Sequence, residues 1–98
     1  MDVNFEDDSL ERLEADARFT ASYDAAVVKV FRKRMQLIRA SPDERPFYAL
    51  KSLHFEKLKG DREGQCSMRL NDQWRLLLRM EKNEDGKQVI VISIVDYH

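Results

Sequence analysis

Cysteine is almost missing from this chain of 98 residues: Cys66 stands alone, so no internal disulfide can form and no cysteine-rich metal motif exists. As a nucleophile Cys66 would need a histidine partner, whereas as a small residue half buried in a strand it needs nothing. Long apolar runs are missing as well. No stretch approaches the roughly 20 residues of a membrane helix, and the opening MDVNFEDD is acidic where a secretory signal is basic and then apolar. The expectation is a soluble, cytoplasmic protein. The sequence also lacks internal repeats, low-complexity tracts and linkers. Its length and its 43% apolar share suit one domain, residues 1–98, with a modest core.

Excess charge of one sign is absent too, the formal net charge being −1, but the charges are unevenly spread. Residues 1–16 carry seven acidic side chains (Asp2, Glu6, Asp7, Asp8, Glu11, Glu14, Asp16) against Arg12 alone, a balance of −6. From Lys29 to Arg79 there are 13 lysines and arginines against six acids, a balance of +7. This asymmetry fits a surface that meets a polyanion, with the acidic start kept away from it. Charge scattered for solubility gives the same count.

The run DVNF at the start suits a first strand. Asp8 and Glu11, three apart, form a capping-box pattern for a helix through about Ala17. Ser22 is the expected N-cap of a second helix, in which Val27, Val30, Phe31, Met35 and Ile38 recur at steps of three and four. Its other face holds Lys29, Arg32, Lys33 and Arg39, usually a solvated face. Ser41-Pro42 should end it. From Pro46 to Lys59 the pattern allows a helical turn and then a short strand, and Gly60, Asp61 and Gly64 mark a turn. Three further strands follow, at 66–70, 73–80 and 88–95, the last two joined by a turn at Asp85-Gly86.

The strand QWRLLLRM carries Arg75 and Arg79 on one side and Trp74, Leu76, Leu78 and Met80 on the other. Its pairing with CSMRL can be phased from side chains alone. A two-residue loop at Asn71-Asp72 sets Arg69 opposite Trp74, on the apolar side. A three-residue loop, Asn71 to Gln73, sets Leu70 opposite Trp74, Met68 opposite Leu76 and Arg69 opposite Arg75. Burying an unpaired arginine costs several kcal/mol, so the second phasing is expected. Arg69, Arg75 and Arg79 then share a face, and directly opposed like charges are unfavourable unless an anion lies between them or the site stays wet. The sequence closes on VDYH, where Asp96, Tyr97 and His98 are either a fraying polar tail or an acid–base group.

The segment LKGDREGQCSMRLNDQWRLLLR, residues 58–79, together with VDYH, resembles the HigB branch of the RelE/ParE toxin superfamily of type II toxin–antitoxin systems. The resemblance implies an α+β fold in which an N-terminal helix pair packs on a small twisted antiparallel sheet. It implies a ribosome-dependent messenger RNA endonuclease that needs neither metal nor other cofactor. It also implies silencing by a co-encoded helix-turn-helix antitoxin of the HigA type, with operator DNA reached only through that complex. Arg75 matches the arginine of the family's WR motif and would bind the scissile phosphate. Asp96 and His98 match the terminal acid and base groups, and Tyr97 between them would help place the RNA. Lys57, Lys59, Arg62, Arg69 and Arg79 would hold flanking phosphates or ribosomal RNA. One departure concerns histidine. Where HigB toxins have a histidine three residues before the glycine of LKGD, this chain has Lys57, and His54 lies six residues before Gly60. Two other readings keep the fold: a ParE-like poison of DNA gyrase, and an inactive partner that only binds its antitoxin.

Overall fold

A computed structural model describes residues 1–96, so Tyr97 and His98 lie outside the described residues. The chain runs β1 (Asp2–Phe5), α1 (Asp8–Ala15), α2 (Ala25–Ala40), α3 (Arg45–Ala49), β2 (Glu56–Lys57), β3 (Cys66–Arg69), β4 (Trp74–Asn83) and β5 (Gly86–Asp96). Short 3-10 turns occupy Lys51–Leu53 and Gly60–Arg62. The expected α+β class is observed, with one difference in the sheet. Its strand order is β1-β5-β4-β3-β2, and β1 runs parallel to β5, so the sheet is mixed. A parallel pair needs a long crossover, and everything from α1 to β4 serves as one.

The helix boundaries differ from the sequence expectation at their caps. Asp7, not Asp8, caps α1: its backbone is extended and its carboxylate accepts from the Ser9 amide at 2.8 Å. The helix stops at Ala15 rather than Ala17. Ser22 adopts a left-handed φ of 66°, which no helix N-terminus permits, and Asp24 precedes α2 without a side-chain cap bond. Inside α2 the expected stripe holds: Val27, Phe31, Met35 and Ile38 are buried, joined by Val28, while Val30 packs at the margin. They meet Leu10 and Leu13 of α1, Phe47 of α3, and Met68, Leu76, Leu78, Val89, Val91 and Ile94 of the sheet in one apolar cluster.

A side chain also closes the β3–β4 turn. Asn71 Oδ1 accepts from the amides of Gln73 and Trp74, both at 2.8 Å, and the Leu70 amide donates to Trp74 O at 2.9 Å. That turn gives the three-residue loop expected, with Met68 opposite Leu76 and Arg69 opposite Arg75. On the other side of β4, Leu77 pairs with Ser93 but Leu78 pairs with Val91, so Ile92 is an extra residue in β5. This bulge explains why VIVISIV shows no simple alternation. It lets Val89, Val91 and Ile94 all face the helices despite their uneven spacing. Gly86, at φ +128°, closes the β4–β5 turn in a conformation L side chains rarely adopt.

One residue expected on the solvated face of α2 is structural. The Arg32 guanidinium folds back and donates to Leu13 O at 3.0 Å, Asp16 O at 2.9 Å and Phe19 O at 3.2 Å. It thereby satisfies carbonyls at the end of α1 and pins the loop that leads to α2. Arg32→Ala should lower unfolding free energy by about 2–3 kcal/mol, since the carbonyls lose a charged donor. Arg32→Lys should recover less than half of it, because a single ammonium cannot span three acceptors in the way a planar fork does. Chemical denaturation of the three proteins checks both; a loss under about 0.5 kcal/mol would make Arg32 a surface residue.

Candidate nucleic-acid interface

Strand parity divides the side chains of β4 between two sides of the sheet. Trp74, Leu76, Leu78 and Met80 face the helices, with Trp74 edge-on to Tyr23 at 5.7 Å. Arg75, Leu77 and Arg79 face the other way. This far face is more than a wet surface, because Leu77 is only 1% exposed and Ser67, its partner on β3, only 3%.

The cover comes from the segment between β2 and β3. Leu58 N donates to Gln65 O at 2.9 Å, and within the loop Glu63 N reaches Gly60 O and Gln65 N reaches Arg62 O. The LKGDREG sequence therefore folds back as a compact wall. Leu58 and Arg62 of that wall, with Ser67, Arg75, Leu77, Val95 and Asp96 of the sheet, line a cleft of about 310 Å³. Asp96 is held at its rim by Gln73, whose Nε2 donates to Oδ2 at 3.1 Å. A cleft with two arginines, a hydroxyl and a carboxylate on an apolar floor suits an anion with a flat or ribose-like body.

Other cations gather beside it. Arg69 stands opposite Arg75 across the β3–β4 pair, and its guanidinium is tied to Asp72. Arg34 of α2 donates from Nε to Arg69 O at 3.2 Å. Burial, and then the charge of Arg69, holds the Arg34 guanidinium below its usual pKa. Sequence reasoning placed Arg34 nowhere near the hairpin because the contact joins residues 35 apart.

The two arginines of QWRLLLRM have different surroundings. Arg79 donates from Nε to Glu81 at 2.7 Å and from Nη1 to Glu6 at 2.9 Å, and both carboxylates push its pKa up. The acidic start is thus not kept wholly off this face, since Glu6 reaches onto it. Arg75, four residues earlier, lines the cleft.

The remaining site residues named from sequence scatter. Lys57 pairs with Cys66, so its side chain leaves β2 on the helix side. There it lines a separate cleft of about 390 Å³ with Glu44, Tyr48, Phe55 and Met80. Lys59 is exposed ahead of the 3-10 turn. His54 is exposed, with a left-handed φ of 44° at the end of the preceding 3-10 turn, and does not line the Arg75 cleft. Cys66 is buried, and burial pushes its thiol up although the Lys57 ammonium offsets part of that effect. It is poorly suited to act as a nucleophile. Tyr97 and His98 lie outside the described residues. Glu56 was missed. It pairs with Ser67 and so shares a face with Arg75, one strand beyond the cleft, which puts a second carboxylate on that side. The signal was available only through pairing, because the face of a two-residue strand depends on its neighbour. Among the described residues no group of histidine, cysteine and acidic side chains could hold a metal, and no helix is long and apolar enough to cross a membrane.

Comparison with known proteins gives a consistent picture. A family whose description is "RelE-like toxin of type II toxin-antitoxin system HigB" matches residues 3–98. No curated protein matches. Among solved structures, the "YoeB/ParE toxin" from Agrobacterium tumefaciens is similar at a TM-score of 0.66 and 21% identity, covering 100% of both chains. A chain of the "YoeB-YefM complex" from Staphylococcus aureus is similar at 0.60 and 18%, covering 100% of this chain and 97% of that one. At such identities these neighbours speak to the fold.

The unequal arginines are testable by salt dependence. For binding to a short single-stranded RNA followed by anisotropy, Arg75→Ala should reduce the slope of log affinity on log salt by about 0.7, one phosphate contact on a single strand. Arg79→Ala should leave it unchanged. Equal losses would mean that the Glu6 and Glu81 clamp opens on binding.

Proposed function

The chain belongs to the RelE-like toxins of the HigB type II toxin–antitoxin family, and from that premise we propose that it is a metal-independent endoribonuclease cutting messenger RNA on the ribosome. The observation that carries this reading is Arg75, a cation in a cleft whose rim holds Asp96, the residue after which the sequence continues into Tyr97 and His98. A protein that only binds has no need of a carboxylate beside an arginine in a cleft, followed directly in sequence by a tyrosine and a histidine.

The chemistry requires only what side chains supply. The ribose 2′-oxygen attacks the adjacent phosphorus, forming the O2′–P bond while the P–O5′ bond breaks. A base takes the 2′ proton and an acid returns one to the leaving 5′-oxygen. Arg75 binds the non-bridging oxygens as negative charge builds on them, the step at which preorganised donors are worth most. Asp96 and His98 supply the acid and base roles, with Asp96 steadied by Gln73. Tyr97 places the RNA. Arg62 and Arg69 hold neighbouring phosphates without reading bases, and Lys59 extends that track along the exposed loop. The protein acts as one domain in the cytoplasm. Its activity is silenced by a co-encoded HigA-type antitoxin, a reading supported by the toxin–antitoxin family and by the similarity to a toxin solved with its antitoxin.

Inducing the chain without an antitoxin should arrest growth and cut ribosome-bound messages. Arg75→Ala and His98→Ala should each reduce cleavage on programmed ribosomes by about 100-fold or more while the melting temperature and antitoxin binding stay unchanged. Full cleavage by the His98 variant would remove the tail from the mechanism. Growth arrest with intact messages and stalled DNA gyrase would replace the nuclease reading with the gyrase-poison one.

A further inference from the structure

We propose that Ser67 is a substrate-binding residue of this cleft, its hydroxyl donating to an oxygen of the phosphodiester that Arg75 holds. The inference rests on the ribonuclease reading for the identity of that anion.

Ser67 lies on β3 directly opposite Leu77 and diagonally from Arg75, and it lines the same cleft. At 3% exposure it is the most deeply buried polar side chain of the far face, and its Oγ is closed to solvent with no hydrogen-bond partner among the described residues. That state is costly: a buried hydroxyl normally finds an acceptor, and leaving it unmet opposes folding. An alanine or valine would fill this strand position without the penalty. A polar atom kept waiting beside a cationic cleft is the pattern expected of a group whose partner arrives with the ligand. Of the side chains that line the cleft, Arg62 and Arg75 only donate, Leu58, Leu77 and Val95 offer carbon, and the carboxylate of Asp96 stands at the rim, where it accepts from Gln73. Oγ is shielded, so the side chains that line the cleft shift as the ligand oxygen reaches it. Ser67 then supplies one neutral donor and Arg75 a charged fork. No bond is made or broken by Ser67; the hydroxyl keeps its proton.

The role separates cleanly from a structural one, because the two move stability in opposite directions. Ser67→Ala should melt at the wild-type temperature or above it, yet cut ribosome-bound messages about ten- to a hundred-fold more slowly, the size of one hydrogen bond to a charged group. Ser67→Cys, close in shape and a weak donor, should behave like the alanine variant. A clear fall in melting temperature for Ser67→Ala would show a structural partner for the hydroxyl and overturn the proposal. Wild-type cleavage by Ser67→Ala would overturn it as well. If the wild-type protein itself leaves messages intact, the nuclease reading fails, and inorganic phosphate then tests the site alone. Phosphate should raise the wild-type melting temperature and do so less for Ser67→Ala. An equal rise in both, or none in the wild type, would overturn the assignment.

Discussion

The Asn71 side chain sets the register on which both faces of this sheet depend. By accepting from two successive amides it fixes a three-residue loop between β3 and β4. Side chains alternate along a strand, so a slip of one residue would exchange the faces. Arg69 would then stand among Trp74, Leu76 and the helices, and Met68 and Leu70 would turn to the other face. The apolar cluster against α2 and the cationic cleft on the other side are thus joint outcomes of one turn, and the core penalises every register that would spoil the site. This is why the loop can be short and polar and still be decisive. Packing selects the phase, and the Asx turn makes that phase the easiest to close.

Beyond register, the far face is organised by where its acids stand. Glu6 on the chain after β1 and Glu81 on β4 surround Arg79, while Asp72 at the hairpin tip reaches Arg69. The Arg79 end of the face is therefore locally acidic, one cation between two carboxylates, whereas the other gathers Arg62, Arg69 and Arg75 around a recess with Asp72 and Asp96 at its margins. The Ile92 bulge sharpens the division. It turns β5 so that Val95 lies beside Arg75 while Ile94 still faces the core, giving the cleft an apolar side without breaking the cluster beneath.

How much of this was legible in the sequence depended on the range of the interaction concerned. The stripe of α2 and the Arg69–Arg75 opposition follow from local periodicity and from a single hairpin, so residue order suffices. The parallel placement of β1 does not follow, since a four-residue run names no partner and its neighbour β5 lies at the far end of the chain. Arg32 and Arg79 looked like surface charge because their partners, backbone carbonyls for one and Glu6 for the other, come from distant segments. Lys57 and Glu56 could be assigned to a side only once Cys66 and Ser67 were known to pair with them. Ser67 carried no signal at all: a serine in a strand is ordinary, and only its burial without an acceptor among the described residues distinguishes it.

Net charge is a poor guide to such a site. A formal charge of −1 and an isoelectric point near 6.1 suggest little attraction for a polyanion. Yet many acids are engaged within the fold: Glu14 binds Arg39, Glu44 binds Lys87, Asp43 binds Arg45, and Asp16 faces Arg12. Pairs of this kind cancel at a distance of a Debye length, about 8–10 Å at physiological salt, and leave the far field weak. Near the cleft the field is set by Arg62, Arg69 and Arg75 against Asp72 and Asp96, with the paired acids of the helix side too far to matter. Long-range steering is consequently a minor part of association, and discrimination falls to close contacts made after the cleft is occupied. Under the proposed ribonuclease reading, that arrangement suits a protein that meets RNA in a confined setting rather than one that must gather it from dilute solution.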